Sequence, residues 1–412
     1  MLSQQPKKLL FGAAAFFVLL LIWLMQSSKF PTTVPWPSRM SLASSPWQVR
    51  DVWNSTLGFE KILVVGLPSR TDRRDSMLLQ AALSDLQIEF IDGVLGSDMS
   101  PNAIIKTSEY EPMRNSSYGS WRAHMNAVHY VVKHNLTSAL ILEDDVDWDI
   151  RIREQLINLA AASRGLTQPL AGRPKEYADP SYPVPANKTA SELDLEMATL
   201  NFNDLQRTES PRFSPYGDEW DAMWLGHCGM QLPLADSVKI PKGRVVQFDD
   251  RTIPQKHHLW SIISPFKLQD QYPDHTRLVH HVQEGVCSLG YAVSQRGARR
   301  MLQEVALKDV EAPFDILLRF YCEGTHGRKR ANCLTTQPSL FHHYRAPGPI
   351  SAQSDISEHT GGYRVEGYSD IIRWSVRMNA DAIMDGSTDY VDQYPDKEPE
   401  EAAASEEEKP AE

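Results

Sequence analysis

The run Phe59-Glu60-Lys61-Ile62-Leu63-Val64-Val65-Gly66-Leu67 is apolar almost throughout and is stopped by Pro68 and Ser69, the pattern of a buried strand. Beyond it, Met77, Leu78, Ala81, Ala82 and Leu86 fall on one face of a helix predicted from Arg73 to Leu86, and Ile88-Glu89-Phe90-Ile91-Asp92-Gly93-Val94 returns to a strand pattern. Strand, helix and strand in that order make a β-α-β unit and imply a parallel sheet. A second helix is predicted from Trp121 to His134, with Ala123, Ala127, Val128 and Val131 on its apolar side; it runs into the short strand Ser138-Ala139-Leu140-Ile141-Leu142. That strand stops at Glu143-Asp144-Asp145-Val146-Asp147-Trp148-Asp149. The acids therefore lie at a strand's carboxyl end, where open α/β sheets bind ligands.

The pattern then breaks. From about Ser163 to Pro215 the chain carries Pro169, Pro174, Pro180, Pro183, Pro185 and Pro211 among polar residues, which reads as an inserted loop region over the site. Strands return at Trp220–Gly226 and Cys287–Val293, the latter followed by a helix from Ser294 to about Ala306, and periodicity fades beyond Arg373. No internal repeat is present.

At the other end, Leu9 to Met25 is seventeen residues of apolar side chains and glycine, preceded by Lys7 and Lys8. This predicts a single transmembrane signal anchor at 9–25, with residues 1–8 cytosolic and the remainder across the membrane. A cleaved signal peptide is the alternative, although the run is longer than a typical apolar region of about 7–15 residues and no small-residue cleavage site follows at once. Residues 26–57, with Pro31, Pro35, Pro37 and Pro46 among Ser and Thr, read as a stem; 58–375 reads as the folded domain, and 385–412 as an acidic disordered tail. That tail holds eleven acids and two lysines, so it carries −9 of the chain's net −11. The rest is nearly balanced, which argues against a nucleic-acid partner.

Four N-x-[ST] sequons, at Asn54, Asn115, Asn135 and Asn187, lie beyond the apolar run and agree with a secretory lumen. There Cys322 with Cys333 and Cys228 with Cys287 could pair; four buried free thiols are the equal alternative.

Clustered carboxylates are costly unless a cation neutralises them, and a hard divalent ion that shares its shell with a substrate's phosphates is the usual solution. A solvated acidic turn is the bland alternative. Leu67-Pro68-Ser69-Arg70-Thr71-Asp72-Arg73-Arg74 tips the balance, because it places three arginines after the first strand, where a nucleotide's anionic groups could be received. Together they describe a pocket for a nucleotide diphosphate with a metal.

These residues resemble glycosyltransferase family 25, the lipooligosaccharide and collagen galactosyltransferase-like family, in a membrane-anchored eukaryotic form. Ile62 to Pro68 with Arg70, Asp72 and Arg73 is similar to the family's "INLxxRxDR" block, Gly119-Ser120 with His124 to "GCxxSH", and Ala139 to Val146 to "ALILEDDV". Trp224-Leu225-Gly226, Gly290 to Ser294 with Gly297-Ala298, and Pro313-Phe314-Asp315 are similar to later blocks, in the family's order over roughly 59–350. Ser120 and Ala123 replace the family's cysteine and serine, and the Pro-rich region is outside the pattern. The resemblance implies an α/β, GT-A-type, Rossmann-like mixed sheet flanked by helices, a UDP-galactose or UDP-glucose donor, a divalent metal such as Mn2+, a glycan or glycoprotein acceptor and inversion at the anomeric carbon. With the anchor, it implies a type II protein of the Golgi or endoplasmic reticulum with its catalytic domain in the lumen.

The expected roles follow. Asp145 is the first candidate for the metal, with Asp147 the rival ligand, since strand alternation would put both on one face; Asp147 as a helix cap is the structural alternative. Leu67, Pro68, Arg70, Arg73 and Asp144 are expected around the donor, together with His124, which could equally be a hydrogen-bonded core residue. Asp315 is the candidate general base, or the N-cap of the helix that follows. His342, in Phe341-His342-His343-Tyr344, could complete a metal shell, as could its neighbour His343. A metal-dependent nucleotide-sugar hydrolase and a catalytically inactive glycan-binding relative remain as alternatives.

Overall fold

Lys61–Gly66 forms β1, and its alternation divides the molecule: Ile62 and Val64 face one hydrophobic core, Leu63 and Val65 the other. The computed structural model describes residues 51–397 apart from 108, 185–197, 235, 238 and 357–360. They belong to one compact unit, Ser44–Glu412; a second unit, Met1–Ala43, lies outside the described residues.

The predicted β-α-β unit is present. β1 leads through α1 (Thr71–Leu83) to β2 (Ile88–Asp92), which pairs with β1 in parallel. α2 spans Asn115–Lys133, six residues earlier than periodicity suggested, and returns the chain to β3 (Ser138–Glu143) on the other side of β1. β4 (Val146–Trp148) leaves the main sheet and α3 (Ile152–Thr167) follows. Later strands are β5 (Thr199–Asn201), β6 (Ala222–Gly226), β7 (Arg244–Gln247), β8 (Arg277–His281), β9 (Gly290–Ser294) and β10 (Cys333–Gln337). Among the described residues the main sheet has nine strands in the order β2-β1-β3-β9-β6-β10-β8-β7-β5, with β9 and β8 antiparallel to their neighbours. The fold is thus a mixed α/β sheet covered on both faces. α1 and α3 contribute Met77, Leu156 and Leu159 to one core; α2, α4 (Gln295–Met301) and α5 (Phe314–Glu323) contribute Trp121, Val128, Met301 and Leu317 to the other.

The expected membrane-spanning element is corrected. No helix among the described residues is long and apolar enough to cross a membrane, and 9–25 lies outside them. α2 shows why even a long helix here does not qualify: its apolar residues occupy one face, while Arg122, Asn126 and Lys133 keep the rest polar.

Three further boundaries differ from expectation. Val52 and Leu57, placed in the stem, are buried, and the carbonyl of Leu57 accepts a 2.6 Å bond from Tyr216. The region assigned to a loop from Ser163 begins inside α3 and contributes β5 to the main sheet. Beyond Asp385, Asp392 and Asp396 pair with Arg373 at 2.8 and 3.0 Å, and Tyr394 donates to the carbonyl of Ser369. Residues up to 397 therefore pack on the domain. Both suggested disulfides are present, Cys228–Cys287 and Cys322–Cys333.

Candidate functional site

The parallel strands β1, β3, β6 and β10 end along one edge of the sheet, and the predicted residues gather there. Gly66 closes β1 with no side chain, because a Cβ there would stand 2.2 Å from an Asp144 carboxylate oxygen. Leu67 and Pro68 form the turn that follows, half-buried and exposed respectively. Arg70 grips Asp72 through two bonds of 3.0 and 2.8 Å and reaches Asp355 at 2.5 Å, which raises its already high pKa. Arg73 lies deeper. It donates to Asp144 at 2.6 Å, approaches Asp145 at 3.1 Å and caps the carbonyl of Gln353 at 2.6 Å. The arginine loop and the acidic strand end are thus one ionic cluster, and removal of Arg73 alone would leave the buried Asp144 without its ion-pair partner, at a cost of about 3–5 kcal/mol.

Asp144 and Asp145 form the turn between β3 and β4. Burial pushes Asp144 up to about 6, reinforced by Asp145 and opposed by Arg73. Burial also acts on Asp145, but Arg73, His343, Arg345 and Arg377 more than offset it and hold its carboxyl below the usual range. The side chain of Asp145 is 22% exposed, yet its Oδ1 is buried and has no hydrogen-bond partner. Asp147 is placed differently. It is fully buried inside β4, and its oxygens accept from Gln80 at 2.6 Å, from the backbone N–H of Trp148 at 2.8 Å and from the hydroxyls of Ser369 and Ser375. The alternation that would place residues 145 and 147 together applies within a strand, and Asp145 precedes this one. Asp147 is also no helix cap, since α3 starts at Ile152 with Arg151 before it.

β11 (Phe341–Arg345) pairs antiparallel with β4, setting His342 opposite Asp147, while the backbone of Tyr344 donates to the carbonyl of Asp145 at 2.9 Å. His342, His343 and Asp370 each offer a ligand atom within 4.8 Å of the others. Burial keeps His342 neutral, as a ligand must be. Two imidazoles with a carboxylate fit a divalent ion. Asp370 is held by Arg345 at 2.8 Å.

Asp315 lies in the first turn of α5, after Pro313 at the N-cap. One oxygen accepts from the backbone N–H of Cys287 at 2.8 Å, the other from that of Ile316 at 2.9 Å. Burial raises its pKa, these two bonds lower it, and the charge of Glu143 raises it again. Ser288, next to Cys287, donates to Glu143 at 2.8 Å. His124 is buried under this pair: it stacks on Phe314 at 4.2 Å and its Nε2 lies 3.4 Å from Glu143. It meets the edge only through that glutamate.

The structure therefore brings Arg73, Asp144, Asp145 and His343 together, places Asp315, Glu143 and His124 in a neighbouring cluster, and gives Asp147 a closed environment of its own. Residues not anticipated are Asp370, Arg345 and Arg377. Arg377 donates to Gln80 at 2.8 Å and to the carbonyl of Val146 at 2.9 Å, and its charge reaches Asp147 and Asp145. The spacing Arg373, Arg377 in a chain of fading periodicity was the one available signal.

The carboxyl edge of this mixed α/β sheet joins an arginine loop to an acidic turn, and sequence comparison bears on the same segment. Residues 59–169 match the model of glycosyltransferase family 25 (LPS biosynthesis protein). The segment contains the arginine loop and the acidic turn; the later blocks around Trp224, Gly290 and Asp315 lie outside it. Among named proteins, the chain is similar to procollagen galactosyltransferase 2 of Mus musculus (23% identical over 148 residues, 33% of this chain and 21% of the relative). It is also similar to procollagen galactosyltransferase 1-B of Xenopus laevis (26% over 164 residues, 35% and 26%) and procollagen galactosyltransferase 1 of Danio rerio (25% over 114 residues, 25% and 19%). The chain spans about a fifth to a quarter of the length of these curated relatives. Over these shares of its length the chain is similar to glycosyltransferase family 25 and to procollagen galactosyltransferases.

Proposed function

We propose that the protein transfers a hexose from UDP-galactose or UDP-glucose to a glycan or glycoprotein acceptor, with inversion and with a divalent ion, Mn2+ being the natural choice. The observation that carries this reading is the buried, unpartnered Oδ1 of Asp145 in the family-matched segment; the His342, His343 and Asp370 set is a second one. The names of the similar proteins favour galactose.

Asp145 and this set would hold the ion, which supplies charge neutralisation of the leaving diphosphate. Arg73, already oriented by Asp144, offers a planar guanidinium to the same diphosphate, and Arg70 stands at the turn that includes Leu67 and Pro68. Asp144 then accepts from sugar or ribose hydroxyls. Asp315 takes the acceptor's hydroxyl proton: its raised pKa suits a base, and its two backbone donors fix its orientation. His124 positions Glu143 rather than touching substrate. Two disulfides and the exposed Asn54, Asn115 and Asn135 favour a secretory, oxidising compartment.

The test is product analysis with UDP-galactose and UDP-glucose, with and without acceptor. Chelation should abolish transfer and donor binding. Asp315→Asn should keep UDP affinity and lower the rate by about 10²–10⁴. Transfer that survives chelation would remove the metal from the reading. Hydrolysis that no acceptor diverts would make the protein a hydrolase.

A further inference from the structure

The segment at 391–397 makes its most specific contacts with one short stretch of backbone, residues 369–372. Gln393 spans that stretch with its side-chain amide: Oε1 accepts from the N–H of Ser369 at 3.0 Å, and Nε2 donates to the carbonyl of Ile372 at 2.7 Å. Tyr394 adds a bond to the carbonyl of Ser369 at 2.9 Å. A glutamine amide is an acceptor and a donor at once, and both ends are used here. The segment has its own anchor, because Arg373 pairs with Asp392 and Asp396 and its carbonyl accepts from the N–H of Gln393 at 3.0 Å.

Inside the span lies a residue in a conformation its side chain disfavours. Ile371 has φ +51°, in the left-handed region, where a β-branched residue is a genuine outlier. Such a backbone persists only where its surroundings over-determine it, and residues of this kind cluster at functional sites. Two features fix it here. The Ile371 side chain is buried in a core cluster with Val246, Leu259 and Leu278, and the Gln393 amide closes the backbone across it, from Ser369 to Ile372.

The neighbour of Ile371 is Asp370, the carboxylate of the metal-capable set. The two imidazoles of that set are placed by β11, which pairs with β4. Asp370 lies one residue past the strand Tyr368–Ser369, which pairs with β11 only through Tyr344 and Arg345. Its own N–H donates to the carbonyl of His343 at 3.1 Å, and its carboxylate is held by Arg345. What remains to set the direction of this side chain is the shape of the 369–372 turn, and that shape is what Gln393 and Tyr394 fasten. Groups that orient a metal ligand without touching the metal are worth about 10–100-fold in metal affinity.

We propose that Gln393, aided by Tyr394, is a positioning residue for the divalent ion: it clasps the 369–372 turn so that the Asp370 carboxylate meets the imidazoles of His342 and His343. This rests on the metal part of the transferase reading. The experiment titrates Mn2+ into the full-length protein, followed by electron paramagnetic resonance of the free ion, for wild type, Gln393→Ala, Gln393→Glu, Asp370→Asn and Asp392→Asn. The urea midpoint and the UDP affinity at saturating Mn2+ are measured for each. Gln393→Ala loses both amide bonds, and Gln393→Glu turns a carboxylate oxygen toward the Ile372 carbonyl; each should weaken Mn2+ binding about 10–100-fold, with UDP affinity at saturating Mn2+ like wild type. Asp392→Asn removes an ion pair to Arg373 on the same segment without touching the turn. It should lower the midpoint and leave Mn2+ affinity unchanged. Loss of Mn2+ affinity in step with the midpoint in every variant, Asp392→Asn included, would overturn the positioning role in favour of a purely structural one. Gln393 variants that bind Mn2+ like wild type, while Asp370→Asn does not, would overturn it and leave the metal reading standing. Wild-type affinity in Asp370→Asn would take Asp370, and this role with it, out of the site. A wild type that binds no Mn2+ would sink the metal reading and the clasp together.

Discussion

Asp144-Asp145 and Asp147-Asp149 are acid pairs separated by one valine, yet the molecule treats them in opposite ways. The first pair lies in a turn, faces arginines and leaves one oxygen without a partner. The second lies on the short sheet. Asp147 is closed by hydroxyls, an amide and a backbone N–H, and Asp149 accepts from Arg151 at 2.9 Å and from the backbone of Trp374 at 3.2 Å. Burial raises both members of the second pair. Asp144 and Asp145 meet their cations at the strand-end turn; Asp147 is closed by side-chain and backbone dipoles and Asp149 by Arg151 and the backbone, as architecture. A carboxylate's role is thus set by who supplies its hydrogens.

That contrast can be broken most directly by stability measurements. Asp147→Ala strands the hydroxyls of Ser369 and Ser375 and the Gln80 amide, and is expected to cost about 3–5 kcal/mol, read as a lower urea midpoint. Asp145→Ala should change stability by no more than about 1 kcal/mol, because it also relieves the repulsion with Asp144. Equal losses would erase the distinction.

A middle-sized effect is expected from the segment that closes the second pair. Truncation after Asp385 removes the ion pairs from Asp392 and Asp396 to Arg373 and the Tyr394 bond to Ser369, and should cost about 2 kcal/mol. Truncation after Lys397 should leave the midpoint unchanged. If both fragments behave alike, the segment contributes nothing.

The smallest effect is a slope. Asp144 has its pKa raised to about 6 from 3.8, so the folded protein binds a proton that the unfolded chain releases between those values. This group's contribution to stability therefore grows as pH falls through about 6 and is lost above it. The midpoint of wild type relative to Asp144→Asn should rise as pH is lowered from about 7 to about 5. A flat difference would show that Arg73 holds Asp144 ionised throughout.

The strands β1, β2 and β3 were legible because each is a short apolar run with clear stops, and the acidic turn because nothing apolar dilutes it. α2 began earlier than its pattern because its first turn, Asn115 to Gly119, is polar and packs through Gly119 on the carbonyl of Val94. The pairing of residues 145 and 147 failed to appear because periodicity cannot reveal where a strand begins. Asp370 and Arg377 were invisible for another reason: they come from a stretch with little regular structure, where position is set by tertiary bonds alone. The same holds for Gln393, which reaches back to Ser369 and Ile372 from beyond the last periodic segment. The Cys228–Cys287 bond joins the segments flanking the neighbouring strands β6 and β9, and Cys322–Cys333 ties α5 to β10, contacts that the sequence left open.

Arg377 has a consequence for how the molecule comes into being. Its partners on α1, Ser76 and Gln80, lie 301 and 297 residues away in the chain, and Ser369 and Ser375 lie 222 and 228 residues from the Asp147 they close. On the ribosome, where the N-terminal part emerges first, β1 to β4 are complete long before these closing groups exist. Asp147 waits in the nascent chain without them. A chain interrupted before residue 369 therefore lacks the hydroxyls that close Asp147.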